Sequence, residues 1–103
     1  VRNSANLTNN GGDGEYRGGN SDGIELYGPT VSNSGNLTSN GGNADATLAS
    51  STSGSGGWIE LYSPDSLLGV SHSGTVSHTA GTGENVNDWG AFIKGGMCIS
   101  GDC

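Results

Sequence analysis

Two short runs alternate apolar and polar residues. One is Ile24-Glu25-Leu26-Tyr27, closed by Gly28-Pro29; the other is Ile59-Glu60-Leu61-Tyr62, closed by Ser63-Pro64. A period of two puts the Ile and Leu side chains on one side of a strand and the Glu and Tyr side chains on the other. Proline cannot donate to a sheet ladder, so Pro29 and Pro64 end the runs. A third, degenerate version is Ala91-Phe92-Ile93-Lys94. No stretch repeats every three to four residues, and Gly, Ser and β-branched residues disfavour helix throughout. The pattern predicts an all-β chain, with Ile24, Leu26, Ile59, Leu61, Phe92 and Ile93 on one shared apolar face.

Each run belongs to a larger repeat. "VRNSANLTNNGG" starts at Val1, "VSNSGNLTSNGG" at Val31 and "VSHSGTVSHTAG" at Val70. The common pattern is V-x-x-S-x-x-[LV]-[TS]-x-x-[GA]-G, followed each time by a glycine-rich connection and then the alternating strand. Trp58 precedes the second such strand and Trp89 the third. Asn10-Gly11 and Asn40-Gly41 read as turns, since both residue types tolerate positive φ. One copy cannot close a core alone, but paired or stacked copies can. The uneven spacing of starts, at 1, 31 and 70, argues against a regular stack. The expectation is a single domain over 1–103, a small antiparallel β-domain with three quasi-repeats, with a short β-solenoid as the alternative.

Composition narrows the function classes. Apolar residues make up 30% of the 103, and the 21 glycines fill no core. Such a domain buries a thin apolar layer and gains from a disulfide or neighbouring chains. The net charge is −7, with Arg2, Arg17 and Lys94 the three basic residues. Replacing counterions on phosphates needs more cations than that, so nucleic acid is excluded as a partner. Anionic membrane surfaces are excluded for the same reason. No apolar run approaches the ~18 residues of a membrane span. The start at Val1 reads as a product of processing or a piece of a longer chain. Cys98 and Cys103 predict a disulfide and an oxidising compartment. A metal at these thiols would need two further soft ligands, and His72 and His78 lie far away in sequence.

Several motifs carry candidate chemistry. Residues 11–28, "GGDGEYRGGNSDGIELYG", resemble the glycine–aspartate repeats of calcium-binding β-rolls, which implies Asp13, Glu15 and Asp22 as oxygen ligands. Their Gly-Gly pairs are seven residues apart instead of nine, and turn-forming Gly and Asp explain them as well. Asn6 and Asn36 each open an N-glycosylation sequon. His72 and His78 flank serines, but strand alternation sets Ser71 and Ser73 on the face opposite His72, which leaves no nucleophile–base pair. Glu25 and Glu60 occupy equivalent surface positions and read as solvated. No residue is assigned a catalytic role, and no motif points to a cofactor. Tyr27, Tyr62, Trp58 and Trp89 remain as contact residues for a partner chain or a glycan.

In texture, "VSNSGNLTSNGG" resembles the Gly/Asn/Ser/Thr-rich β-repeats of extracellular filament subunits and phage tail fibres. The terminal Cys98 and Cys103 are similar to the C-terminal cysteine pair of type IV pilin head domains. The resemblance implies a pilin-like head supplied separately, docking on a helical partner subunit, because the chain lacks the long apolar helix of a whole pilin. The expected function is that of a non-enzymatic structural subunit or head domain of an extracellular filament. The alternative is a carbohydrate- or receptor-binding module of a tail fibre or adhesin, also at the cell surface.

Overall fold

The computed structural model describes residues 1–64 and 69–103. Strand pairing overturns the antiparallel expectation. The chain winds through three coils that start with the repeat copies, and each coil lies on the next in parallel register. The first sheet stacks β1 (Arg2–Asn3), β4 (Val31–Asn33) and β7 (Val70–His72). The second stacks β2 (Leu7–Thr8), β5 (Leu37–Thr38) and β8 (Val76–Ser77). The third stacks β3 (Ile24–Tyr27), β6 (Trp58–Tyr62), β9 (Ala91–Lys94) and β10 (Met97–Gly101) in the order β10-β9-β6-β3. Only β9–β10 is antiparallel among the pairings of the described residues.

Parallel pairing wins for a physical reason. Strands of one sheet are separated by a whole repeat, which is the long crossover that parallel strands require. Parallel register also sets like on like: Ile24 on Ile59, Glu25 on Glu60, Leu26 on Leu61 and Tyr27 on Tyr62. An antiparallel arrangement would lose that match. The uneven repeat spacing is absorbed outside the ladders, since Val31 still registers with Val70 and Leu37 with Val76.

The core is the interior of this stack. Val31, Leu37, Ile59, Leu61, Val70 and Phe92 form a buried cluster, with Leu7, Ile24, Leu26 and Val76 packed against it. Ile93 departs from the expected face. It registers with Glu60, and Phe92 registers with Ile59, so Phe92 points inward and Ile93 outward.

The Asn-Gly pairs are not turns either, and neither Gly11 nor Gly41 has a positive φ. Asn10 and Asn40 instead serve as side-chain acceptors between coils. Asn40 N–H donates to Asn10 Oδ1 at 3.2 Å, and Thr79 N–H donates to Asn40 Oδ1 at 3.0 Å. The same step recurs from Asn36 N–H to Asn6 Oδ1 (2.9 Å) and from Thr75 N–H to Asn36 Oδ1 (3.0 Å). It recurs again from Asn43 N–H to Asp13 Oδ1 (2.7 Å) and from Thr82 N–H to Asn43 Oδ1 (2.8 Å). Each such bond contributes about 0.5–1.5 kcal/mol net. The asparagine-rich composition is therefore a set of ladders.

The glycine-rich connection of the second coil is interior as well, with Gly42, Gly54, Gly56 and Gly57 buried. Gly19 N–H donates to Gly12 O, Gly42 N–H to Gly19 O, Gly54 N–H to Gly42 O, and Gly81 N–H to Gly54 O, at 2.7–3.0 Å. Outgoing and returning arms of successive coils thus touch backbone to backbone. Beyond this waist, Arg17, Thr52 and Asn85 form parallel bridges that keep the far lobe in step.

Candidate functional site

The outer face of the third sheet carries the aromatic residues singled out from sequence. Alternation along β3 and β6 turns Ile59 and Leu61 inward, both fully buried, and leaves Tyr27 65% exposed. Parallel register then places the Tyr27 and Tyr62 rings one above the other, stacked with centroids 4.6 Å apart. Trp58 lies on the same face of β6, 44% exposed, its Nε1–H donating to Trp89 O at 3.0 Å. Four residues of strand separate Trp58 from Tyr62, about 13 Å. Glu25 and Glu60 occupy the row between them, and Ile93 continues that row. The face is a strip with rings at both ends and carboxylates in the middle. Trp89 itself is half-buried, and its N–H donates to Ser55 Oγ at 2.7 Å.

The other predicted sites fare differently. Cys98 and Cys103 form a disulfide with Cα atoms 6.1 Å apart, which ties the start of β10 to the residues after its end. Both cysteines are exposed, so the bond secures an edge and not the core. Asp13, Glu15 and Asp22 are not brought together: no cluster of three His, Cys, Asp or Glu side chains suited to a metal occurs among the described residues. Asp13 acts as a ladder acceptor instead. Asn6 and Asn36, the sequon residues, are exposed and lie in one ladder. Ser71 and Ser73 are exposed while His72 is half-buried.

His72 has a structural role that sequence reasoning missed. Asn3 Nδ2 donates to Asn33 Oδ1 at 2.7 Å, and buried Asn33 donates through Nδ2 to Gly35 O and to His72 Nδ1, both at 2.8 Å. Both amide hydrogens of Asn33 are thus committed, so His72 Nδ1 must accept and its proton sits on Nε2. The recurrence of Asn3 and Asn33 at one repeat position, with His72 third, was the available signal. Burial, and secondarily the Lys94 charge, hold the His72 pKa below its ordinary value. A depressed histidine favours the fold above its unfolded pKa of 6.5, and that contribution is lost as pH falls through the lower folded value. Melting temperature should accordingly decline as the pH drops below neutrality. His72→Asn, which continues the asparagine ladder with a non-titrating acceptor, should flatten the decline over the histidine range. Equal declines in the two proteins would show that this contact is not responsible.

A polar cleft also escaped the sequence reading. Arg17, Gly18, Gly19, Asn20, Thr52, Ser53 and Asn87 line a space of about 250 Å³ beside the glycine waist. Its residues come from all three coils, so no single repeat reveals it.

No protein-family model, curated protein or solved structure matches this chain.

Proposed function

We propose that the chain is a non-enzymatic structural subunit or head domain of an extracellular filament, packing against partner chains through the outer face of its third sheet. The observation that carries this reading is the strip formed by Trp58, Tyr27 and Tyr62. Large rings left in solvent on the outer face of a sheet are suited to burial against another chain. The disulfide suits an oxidising, extracellular setting. A helical partner subunit would meet this strip as a groove-free surface, anchored by the rings.

The second reading, a carbohydrate-binding module, draws on Glu25 and Glu60. Carboxylates accept hydrogen bonds from sugar hydroxyls, and rings beside them stack on pyranose faces. With no cation in that row, the ligand class would be a neutral glycan.

Tyr62→Ala separates the two. In a filament subunit, negative-stain microscopy of the assembled native material should show filaments lost or shortened, while the circular dichroism of the single chain is kept. In a glycan-binding module, binding to neutral glycans should be abolished with assembly intact. Filaments and glycan binding both unchanged would remove the contact role from this face.

A further inference from the structure

We infer that the cleft beside the glycine waist binds a sugar bearing a carboxylate, of the uronic acid class, with Arg17 holding the carboxylate. This site lies apart from the aromatic strip and does not depend on the filament reading.

Every side chain that lines this space can donate a hydrogen bond. The donors are Arg17, Asn20, Thr52, Ser53 and Asn87, and no carboxylate joins them in a chain with ten acids and three bases. They are also uncommitted. Among the described residues, the Arg17 guanidinium has neither an ion pair nor a hydrogen bond, and the Asn87 side chain has no partner. Asn20 Oδ1 accepts from Ser55 N–H at 2.9 Å, which orients the amide and leaves both Nδ2 hydrogens over. Thr52 Oγ1 has only a long contact to Ser50 O, at 3.5 Å. Ser53 is the buried member, 2% exposed; its Oγ accepts from Asn87 N–H at 2.9 Å, and its own proton has no acceptor within the chain. Behind these side chains stand Gly18 and Gly19, whose N–H groups are taken up by Thr52 O and Gly12 O. The free donors of the cleft are therefore side chains and not backbone amides.

These features select the ligand. A free guanidinium takes a carboxylate through two parallel N–H···O bonds. The chain's own nearby acids do not fill that role. Asp88 accepts from Gly90 N–H, Glu84 accepts from Ser50 N–H, and Glu15, two residues before Arg17, forms no ion pair with it. The volume of about 250 Å³ lies below the ~300–1,000 Å³ of drug-sized sites, so it suits a single ring. The hydroxyls of a sugar ring need partners that both donate and accept, which amide and hydroxyl side chains do. No aromatic side chain lines the cleft, so affinity comes from hydrogen bonds and the one ion pair. The net charge of −7 opposes polyanions, but screening beyond ~8–10 Å leaves a lone carboxylate to the local field of Arg17.

Titration of the full chain with sodium glucuronate, followed by proton–nitrogen NMR, should shift the Gly18, Gly19, Asn20, Thr52, Ser53 and Asn87 amides saturably, with a dissociation constant of roughly millimolar order. Glucose is the ring without the carboxylate, and acetate is the carboxylate without the ring. Each should bind at least about tenfold more weakly. Arg17→Gln removes the charge from an exposed side chain and keeps the backbone bridge to Thr52. It should weaken glucuronate binding roughly tenfold or more. Asn87→Asp changes an exposed side chain that has no partner, and it sets a carboxylate in the cleft. It should abolish binding with the circular dichroism unchanged. Tyr62→Ala should bind glucuronate as the parent chain does. The absence of a saturable shift at the cleft amides overturns the inference. Glucose or acetate binding as tightly as glucuronate overturns it too, the first against the carboxylate and the second against the sugar. If Arg17→Gln does not fold, Asn87→Asp decides, and undiminished binding in that variant overturns the site. Loss of binding in Tyr62→Ala would move the sugar to the aromatic strip, sinking the cleft and supporting the glycan reading of that strip.

Discussion

Gly42→Ala is expected to destabilise the fold by about 3 kcal/mol, the upper range for forcing atoms into a packed interior. Gly12→Ala, at the equivalent position one coil earlier, should change stability by no more than about 0.5 kcal/mol. The contrast comes from what a Cβ would meet. At buried Gly42 it would land on the carbonyl of Gly12, which is backbone and cannot swing away; at Gly12 there is open space. Gly42 is also bonded on both sides, its N–H to Gly19 O and its carbonyl to Gly54 N–H, each at 2.9 Å. A shift that relieves the clash would stretch those bonds. Urea titrations of the two variants beside the parent chain measure the difference. Equal midpoints would mean that the arms do not touch at the waist.

That waist shows where sequence reading stops. The glycine runs look like connections because glycine fills no volume, and low apolar content usually signals loops. Here the arms approach so closely that only residues without side chains fit, so the same composition marks an interior. Strand direction was hidden for a related reason. The alternation of Ile24 to Tyr27 is identical in parallel and antiparallel sheets. What the sequence did hold was the register: the shared phrase and the repeat starts at Val31 and Val70 coincide with paired positions. The asparagines at 6, 10, 36 and 40 were visible as repeats, yet their use as acceptors for the next coil's amides depends on parallel stacking. The third copy misled on Ile93 because Ala91 registers with Trp58, which shifts the apolar residues by one place. Among candidate sites, the outward Tyr27, Tyr62 and Trp58 and the cysteine pair were legible from local pattern. The cleft at Arg17 and the His72 contact were not, since each combines residues from separate coils.

Leu61→Ala should cost about 2–5 kcal/mol, the range for a fully buried leucine whose site collapses only in part. Leu61 belongs to the middle coil, with Leu26 on one side in the ladder and Lys94 on the other, and it has no solvent exposure. Val31, Leu37, Ile59, Val70 and Phe92 share its cluster, so truncation opens a void that no single neighbour fills. Leu26→Ala removes the same atoms from the first coil, where the side chain is half-buried. Its cost should be about 1 kcal/mol, in proportion to the smaller apolar area withdrawn from water. Glu60→Ala, on the outward side of the same strand, should stay within about 0.5 kcal/mol. Any change there should favour stability, because Glu25 and Glu60 are ladder neighbours of like charge. Chemical denaturation reads all three. If Leu61→Ala costs no more than Leu26→Ala, the middle coil is not shielded from water by its neighbours, and the stacked core described for this chain is wrong.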